Sequence, residues 1–180
     1  INISSGKYGT IPDNSQLRLQ YNFTIVFWFW ANATATSHQG CIKKDRTDGH
    51  SYFLYRSYNS AADKNKFVCE LYNGSTQIAT FGEVSNKTWH MATCRLIDGL
   101  ITTSIDNNFT VISNATISGS ISYDTGSLQI GRWDASNYPF VGTMDEIRFY
   151  NRSLSNQEII DMYNNGINSL TSLQTEEGSG

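Results

Sequence analysis

Pro12 and Pro139 are the only prolines among 180 residues, so the hydrogen-bond ladders that proline interrupts are left almost untouched. Charge is scarce as well. Thirteen basic and 16 acidic residues leave a net charge of −3, which provides no basic field for nucleic acid or an anionic membrane. No apolar run approaches the ~20 residues that a membrane helix needs. The most apolar stretch, residues 23–30, is the size of a strand. The three cysteines, Cys41, Cys69 and Cys94, have neither C-x-x-C nor zinc-site spacing. Each falls in a strand-like run, so they read either as three small buried hydrophobes or as one disulfide and one free thiol. The chain starts at Ile1 without a methionine or a leader, and is expected to be a processed or excised piece.

Aromatic residues make up 13% of the chain, more than a helical bundle needs, and they suit sheets whose rings pack across strands. With only 16% charged residues and a mean hydropathy of −0.38, the polarity must come from Asn, Ser, Thr and Gly. That balance is common on secreted β-proteins. N-x-S/T recurs at Asn2, Asn22, Asn32, Asn73, Asn86, Asn108, Asn114 and Asn151. If glycosylated, the protein is extracellular or displayed on a cell surface. Turn sites, Asn73 and Asn86 foremost, are the best candidates.

Strand-like runs alternate with turn signals, a rhythm of sandwiches and barrels. In residues 23–30, Phe23, Ile25, Phe27 and Phe29 share one face and Val26, Trp28 and Trp30 the other, so this strand is central. Asn73-Gly74 and Asp98-Gly99 each predict a hairpin. One helix is predicted over about 155–164. It opens with a capping box between Ser155 and Glu158, carries a stripe of Ile159, Met162 and Tyr163, and stops at Asn165-Gly166. One domain is expected over 1–170, with 171–180 as a flexible tail or linker.

Three segments in order resemble the laminin-G-like (concanavalin A-like) jelly-roll family, in its pentraxin-related branch. They are YGTIPDNSQL at 8–17 followed by FTIVFWF at 23–29, NKTWHMAT at 86–93, and FVGTMDEIRFYNRSLS at 140–155. The resemblance covers about residues 6–166. It implies an all-β fold: two antiparallel sheets stacked as a jelly-roll sandwich, with one short C-terminal helix. It also implies a structural calcium at Asp145, beside carbonyls near Gly6 and Tyr8. The alternative for Asp145 is a carboxylate that hydrogen-bonds backbone amides. The pentraxin-type calcium site needs several acids before the F-x-G motif, and here only Asp134 stands there.

Enzymes on this scaffold use paired carboxylates at alternate strand positions. No strand carries such a pair: Glu70 is alone, and Asp145 and Glu146 are adjacent, so they face opposite ways. A nucleophile motif of the G-x-S-x-G kind is absent, and His38, His50 and His90 stand in unrelated contexts. His90 is expected to pack and hydrogen-bond. The chain is therefore expected to be a non-catalytic binding or adhesion module that contacts carbohydrate or a neighbouring surface protein. The alternative is a structural subunit of an extracellular filament, sheath or surface layer. Candidate ligand-binding residues are Trp133, Asp134, Asn137 and Tyr138 in one loop and Tyr58 in another, since loop rings are seldom needed for packing. Of the two rings in the first loop, Trp133 is expected to be the open one and Tyr138 the packed one.

Overall fold

A computed structural model describes residues 2–3, 7–32, 34–58, 64–133 and 138–177. The strands in chain order are β1 (Asn2–Ile3), β2 (Gly9–Ile11), β3 (Phe23–Ala31), β4 (Gln39–Arg46), β5 (Gly49–Tyr58), β6 (Lys64–Tyr72) and β7 (Thr76–Glu83). There follow β8 (Trp89–Ile97), β9 (Leu100–Ile105), β10 (Val111–Ser113), β11 (Ala115–Thr116), β12 (Leu128–Ile130) and β13 (Gly142–Tyr150), then helix α1 (Asn156–Glu177). They form a six-stranded sheet, β1-β13-β3-β8-β9-β11, and a seven-stranded sheet, β10-β7-β6-β5-β4-β12-β2. Both are antiparallel, and they make the jelly-roll sandwich that the sequence predicts.

The alternation in β3 sets the layers. Phe23, Ile25, Phe27 and Phe29 point inward to meet Tyr52, Leu54, Phe67 and Leu71 of the opposite sheet, all fully buried. Val26 and Trp28 point outward under α1, with Met91, Leu154 and Ile159. Cys69 in β6 and Cys94 in β8 are joined across the core as a disulfide, with 6.0 Å between their Cα atoms, and Cys41 is free and buried. Of the two cysteine readings, the structure takes the disulfide with one thiol. The turn between β8 and β9 has positive φ at both Asp98 (47°) and Gly99 (84°), the backbone that a two-residue hairpin requires.

The helix starts as predicted. Ser155 Oγ accepts from the Glu158 N–H at 3.2 Å, and Glu158 Oε2 accepts from the Ser155 N–H at 2.9 Å. It does not stop at Gly166 but continues to Glu177. Gly166 has a packing role instead: a Cβ there would lie 2.6 Å from Cζ2 of Trp28, whose ring stacks on Tyr163 at 5.6 Å. A mid-helix glycine costs about 1 kcal/mol relative to alanine, and here it lets the helix sit down on the indole. Among the described residues, no helix is long and apolar enough to cross a membrane.

Candidate functional site: a ring cluster on the outer face of the seven-stranded sheet

Strand register builds this face row by row. One outward row runs Thr10, Gln129, Lys43, Phe53, Glu70, Ile78 from β2 to β7. The next outward row runs Gly40, Tyr55, Val68, Thr80. Gly40 leaves a gap in that second row, and the chain after β12 crosses it. A Cβ at Gly40 would lie 2.4 Å from the backbone carbon of Arg132 and the nitrogen of Trp133. The Gly40 N–H also donates to the Tyr138 carbonyl at 3.0 Å.

Trp133 is thereby laid on the sheet, half-buried, with its ring 4.5 Å from Phe53 and 5.2 Å from both Tyr55 and His38. Tyr138 stands 5.5 Å from Trp133 and 5.9 Å from His38, and is 39% exposed. Its φ of +58° is the left-handed conformation that a bulky residue adopts only under constraint. The expected order of the two rings is reversed: Tyr138 is the open one and Trp133 the packed one. The physical reason is Gly40, which admits the indole to the sheet.

Polar groups border the rings. The Tyr55 hydroxyl donates to Glu70 Oε1 at 2.6 Å, and burial, then Glu70, pushes the phenol's titration upward. His50 Nε2 lies 3.1 Å from Glu70 Oε2 without hydrogen-bond geometry. His38 Nδ1 accepts from the Tyr58 N–H at 3.1 Å. Burial holds this imidazole below its usual range, against the pull of Glu70, which favours the neutral form that an acceptor nitrogen requires. Tyr58 therefore joins the cluster through its backbone. Beyond Tyr55 the face dips into a depression of about 290 Å³ lined by Ser57, Lys66, Val68, Ile78, Thr80 and Ile112. An apolar floor with a hydroxyl and amine rim is suited to the flat, polar-edged faces of sugars.

Asp134 and Asn137 lie outside the described residues. Phe53, Val68, His38 and Glu70 are cluster members that the sequence reading passed over. The available signal was residues 52–55, where both faces of a strand are apolar and an outer cover is implied. Arg56, next to Tyr55 in β5, turns inward and is fully buried, donating to Gln39, Asn65 and Asn86.

Asp145 lies at a bulge in β13, where its Oδ1 accepts from the Glu146 N–H at 2.9 Å and Glu146 pairs with Arg148. A hard cation wants six to eight oxygens. Among the described residues no group of three or more His, Cys, Asp or Glu side chains is assembled for a metal. The Glu146 N–H bond is of the kind the backbone-bonding alternative expects, and Gly6, whose carbonyl the calcium reading also invokes, lies outside the described residues.

The sequons differ in what their amides do. Asn22 donates to Asp98, Asn73 to the Ser118 carbonyl and Asn86 to Thr34, while Asn108 accepts from the Thr110 N–H. Asn32, Asn114 and Asn151 are exposed, and the Asn2 side chain is outside the described set.

One arrangement was not legible in sequence. Ser85 Oγ is 2.7 Å from His90 Nε2, and His90 Nδ1 is 2.8 Å from Asp106 Oδ2. The three stand in a loop, a strand and a turn, with no motif spacing between them.

Comparison with known proteins agrees with the fold. Mouse usherin is 24% identical over 165 residues, covering 88% of this chain, and human usherin 24% over 155 residues, covering 81%. The chain spans about 3% of the length of these relatives. Among solved structures, the CBM40 of the Ruminococcus gnavus IT-sialidase bound to α2,3-sialyllactose has a TM-score of 0.67 at 13% identity. That match covers 91% of this chain and 95% of the other. The binding domain of botulinum neurotoxin serotype G also reaches 0.67, at 14% identity, covering 91% of this chain and 41% of the other. A Trypanosoma rangeli sialidase reaches 0.64 at 13% identity, over 91% of this chain and 26% of that one. The family model described as the concanavalin A-like lectin/glucanases superfamily matches residues 4–160, and the chain belongs to that superfamily.

Proposed function

We propose that the chain is a glycan-binding module of a secreted or cell-surface protein, and that its ligand lies on the outer face of the seven-stranded sheet. The observation that carries this reading is Tyr138, open to solvent in a constrained backbone and standing beside a packed Trp133. Packed rings hold their orientation without further ordering cost, which is how a sugar platform is preorganised. Glu70 supplies an acceptor and Ser57 and Thr80 supply hydroxyls at the edge of that platform. The sialyllactose held by the R. gnavus CBM40 supports carbohydrate as the ligand class and makes α2,3-sialyllactose the first probe. A disulfide and eight sequons support an oxidising, glycosylating compartment. The test is a glycan-array screen of the wild-type chain beside Tyr138→Ala. The proposal expects a binding class that the variant loses at an unchanged melting temperature. An array without hits would remove the carbohydrate reading and leave a surface protein, or a neighbouring copy in an assembly, as the partner.

A further inference from the structure

We infer that Ser85 is a base-activated nucleophile, able to take the acyl group of an ester that projects from a larger molecule. Ser85 sits in the loop between β7 and β8, His90 in β8, and Asp106 in the turn after β9. A carboxylate only accepts hydrogen bonds, so the 2.8 Å contact to Asp106 Oδ2 assigns the ring proton to His90 Nδ1. In the neutral ring His90 Nε2 is then a lone pair, and the Ser85 hydroxyl, 2.7 Å away, donates to it. This is the order of nucleophile, base and orienting group that acyl-transfer sites use.

Asp106 is itself held in place. Its Oδ1 accepts from the Met91 N–H at 2.9 Å, its own N–H donates to the Met91 carbonyl at 2.7 Å, and its φ is +58°. His90 packs against the Phe29 ring at 5.7 Å. Ser85 is exposed, so the hydroxyl is fixed from behind and reachable from in front. The loop's backbone bonds run from Val84 to Asn65 and from Lys87 to Ala31. Between them stands the N–H of Asn86, next after the nucleophile, where oxyanion donors of such sites are found. The Asn86 side chain accepts from buried Arg56 at 2.6 Å, which ties this loop to β5, the strand carrying Tyr55.

The chemistry balances without a cofactor. Ser85 Oγ bonds to the acyl carbon as its proton moves to His90 Nε2. The ester C–O bond then breaks, and the alcohol leaves with that proton. Water, deprotonated by Nε2, attacks the acyl carbon next and returns Ser85 to its hydroxyl form. The sum is ester plus water giving acid plus alcohol. Ser85 and His90 touch the reacting atoms, and Asp106 is a positioning residue.

The test is acylation of the full chain by p-nitrophenyl acetate, and labelling by a fluorophosphonate, with the modified serine identified by mass spectrometry. It needs no glycan, so its outcome is independent of the binding reading. Adduct is expected at Ser85 far ahead of exposed serines such as Ser75. His90→Gln should slow it by roughly 100-fold or more, as loss of a general base does. Asp106→Asn can still accept from the Met91 N–H, and should slow labelling comparably. Should His90→Gln fail to fold, Asp106→Asn decides the matter alone. Absence of adduct at Ser85, or labelling there at the same rate in Asp106→Asn, would overturn the proposal and leave the three residues as a brace between loops.

Discussion

A methyl group at Gly40 would collide with the backbone of Arg132 and Trp133. Gly40→Ala should therefore cost about 1–3 kcal/mol, as overpacking does, and lift the indole from the sheet. Denaturant unfolding reports the cost, and a red shift of tryptophan emission reports the lift. Trp133→Ala removes a half-buried ring packed on Phe53 and Tyr55, and should cost about 2–3 kcal/mol, below the range for a fully buried indole. Tyr138→Ala should stay within about 0.5 kcal/mol of wild type, as surface changes do. Because residue 138 sits at φ +58°, Tyr138→Gly should be more stable than Tyr138→Ala by about 1 kcal/mol. Equal stabilities would mean that the conformation is not strained. The rings at 133 and 138 were legible as site candidates because they fall in a loop. Their relative exposure was not, because it depends on a glycine 93 positions away from Trp133, brought there only by the fold.

For α1, local rules and tertiary packing give opposite expectations at Gly166. Helix propensity alone makes Gly166→Ala stabilising by about 1 kcal/mol. Contact with Trp28 makes it destabilising by about 1–3 kcal/mol. The account predicts destabilisation, relieved when Trp28 is shortened to Phe in the same chain. An additive double-mutant cycle would show that the two do not touch. The helix start was readable because a capping box is local, and its stop was not, because Gly166 answers to a ring in β3. Acid should expose two clamps, one at the start of α1 and one in the turn after β2. Arg152, then the Ser155 amide, hold Glu158 down from 4.5 to about 2. Arg18 and then Lys44 hold Asp13 down from 3.8 to about 2. Both carboxylates are depressed in the folded state, so their stabilisation is present above their unfolded values and lost as pH falls from about 4 toward 2. Melting temperature should drop across that window, and drop less in a Glu158→Gln, Asp13→Asn chain. A parallel fall in both chains would contradict the assignment.

At the scale of the whole molecule, the strand rhythm and hairpin turns, which are local signals, pointed to a sandwich or a barrel, and the resemblance of 8–29, 86–93 and 140–155 to laminin-G-like jelly rolls implied the two stacked sheets. The order of strands within the sheets, and hence the rows of the outer face, is a long-range property that such signals do not carry. The Ser85, His90 and Asp106 contact was hidden for the same reason. Cys69 and Cys94 close a 25-residue separation between the sheets, so their replacement by alanine should cost about 3 kcal/mol. Chelation should leave the melting curve unchanged if Asp145 serves backbone amides. A lower melting temperature, absent in Asp145→Ala, would instead restore calcium to that bulge. Native material should carry glycan first at exposed Asn32, Asn114 and Asn151, ahead of Asn73 and Asn86, whose amides already donate within the fold.

The four tryptophans offer the most direct test of the binding face, because their indole N–H signals are resolvable in an ¹H–¹⁵N spectrum. Trp28 is sealed beneath α1, and Trp30 and Trp89 are paired across β3 and β8 in the other sheet. Only Trp133 belongs to the ring cluster. On titration with α2,3-sialyllactose, or with the best glycan from the array, the account predicts that the Trp133 signal moves while the other three stay fixed. A glycan that binds without moving Trp133, or that moves Trp30 or Trp89 instead, would contradict it.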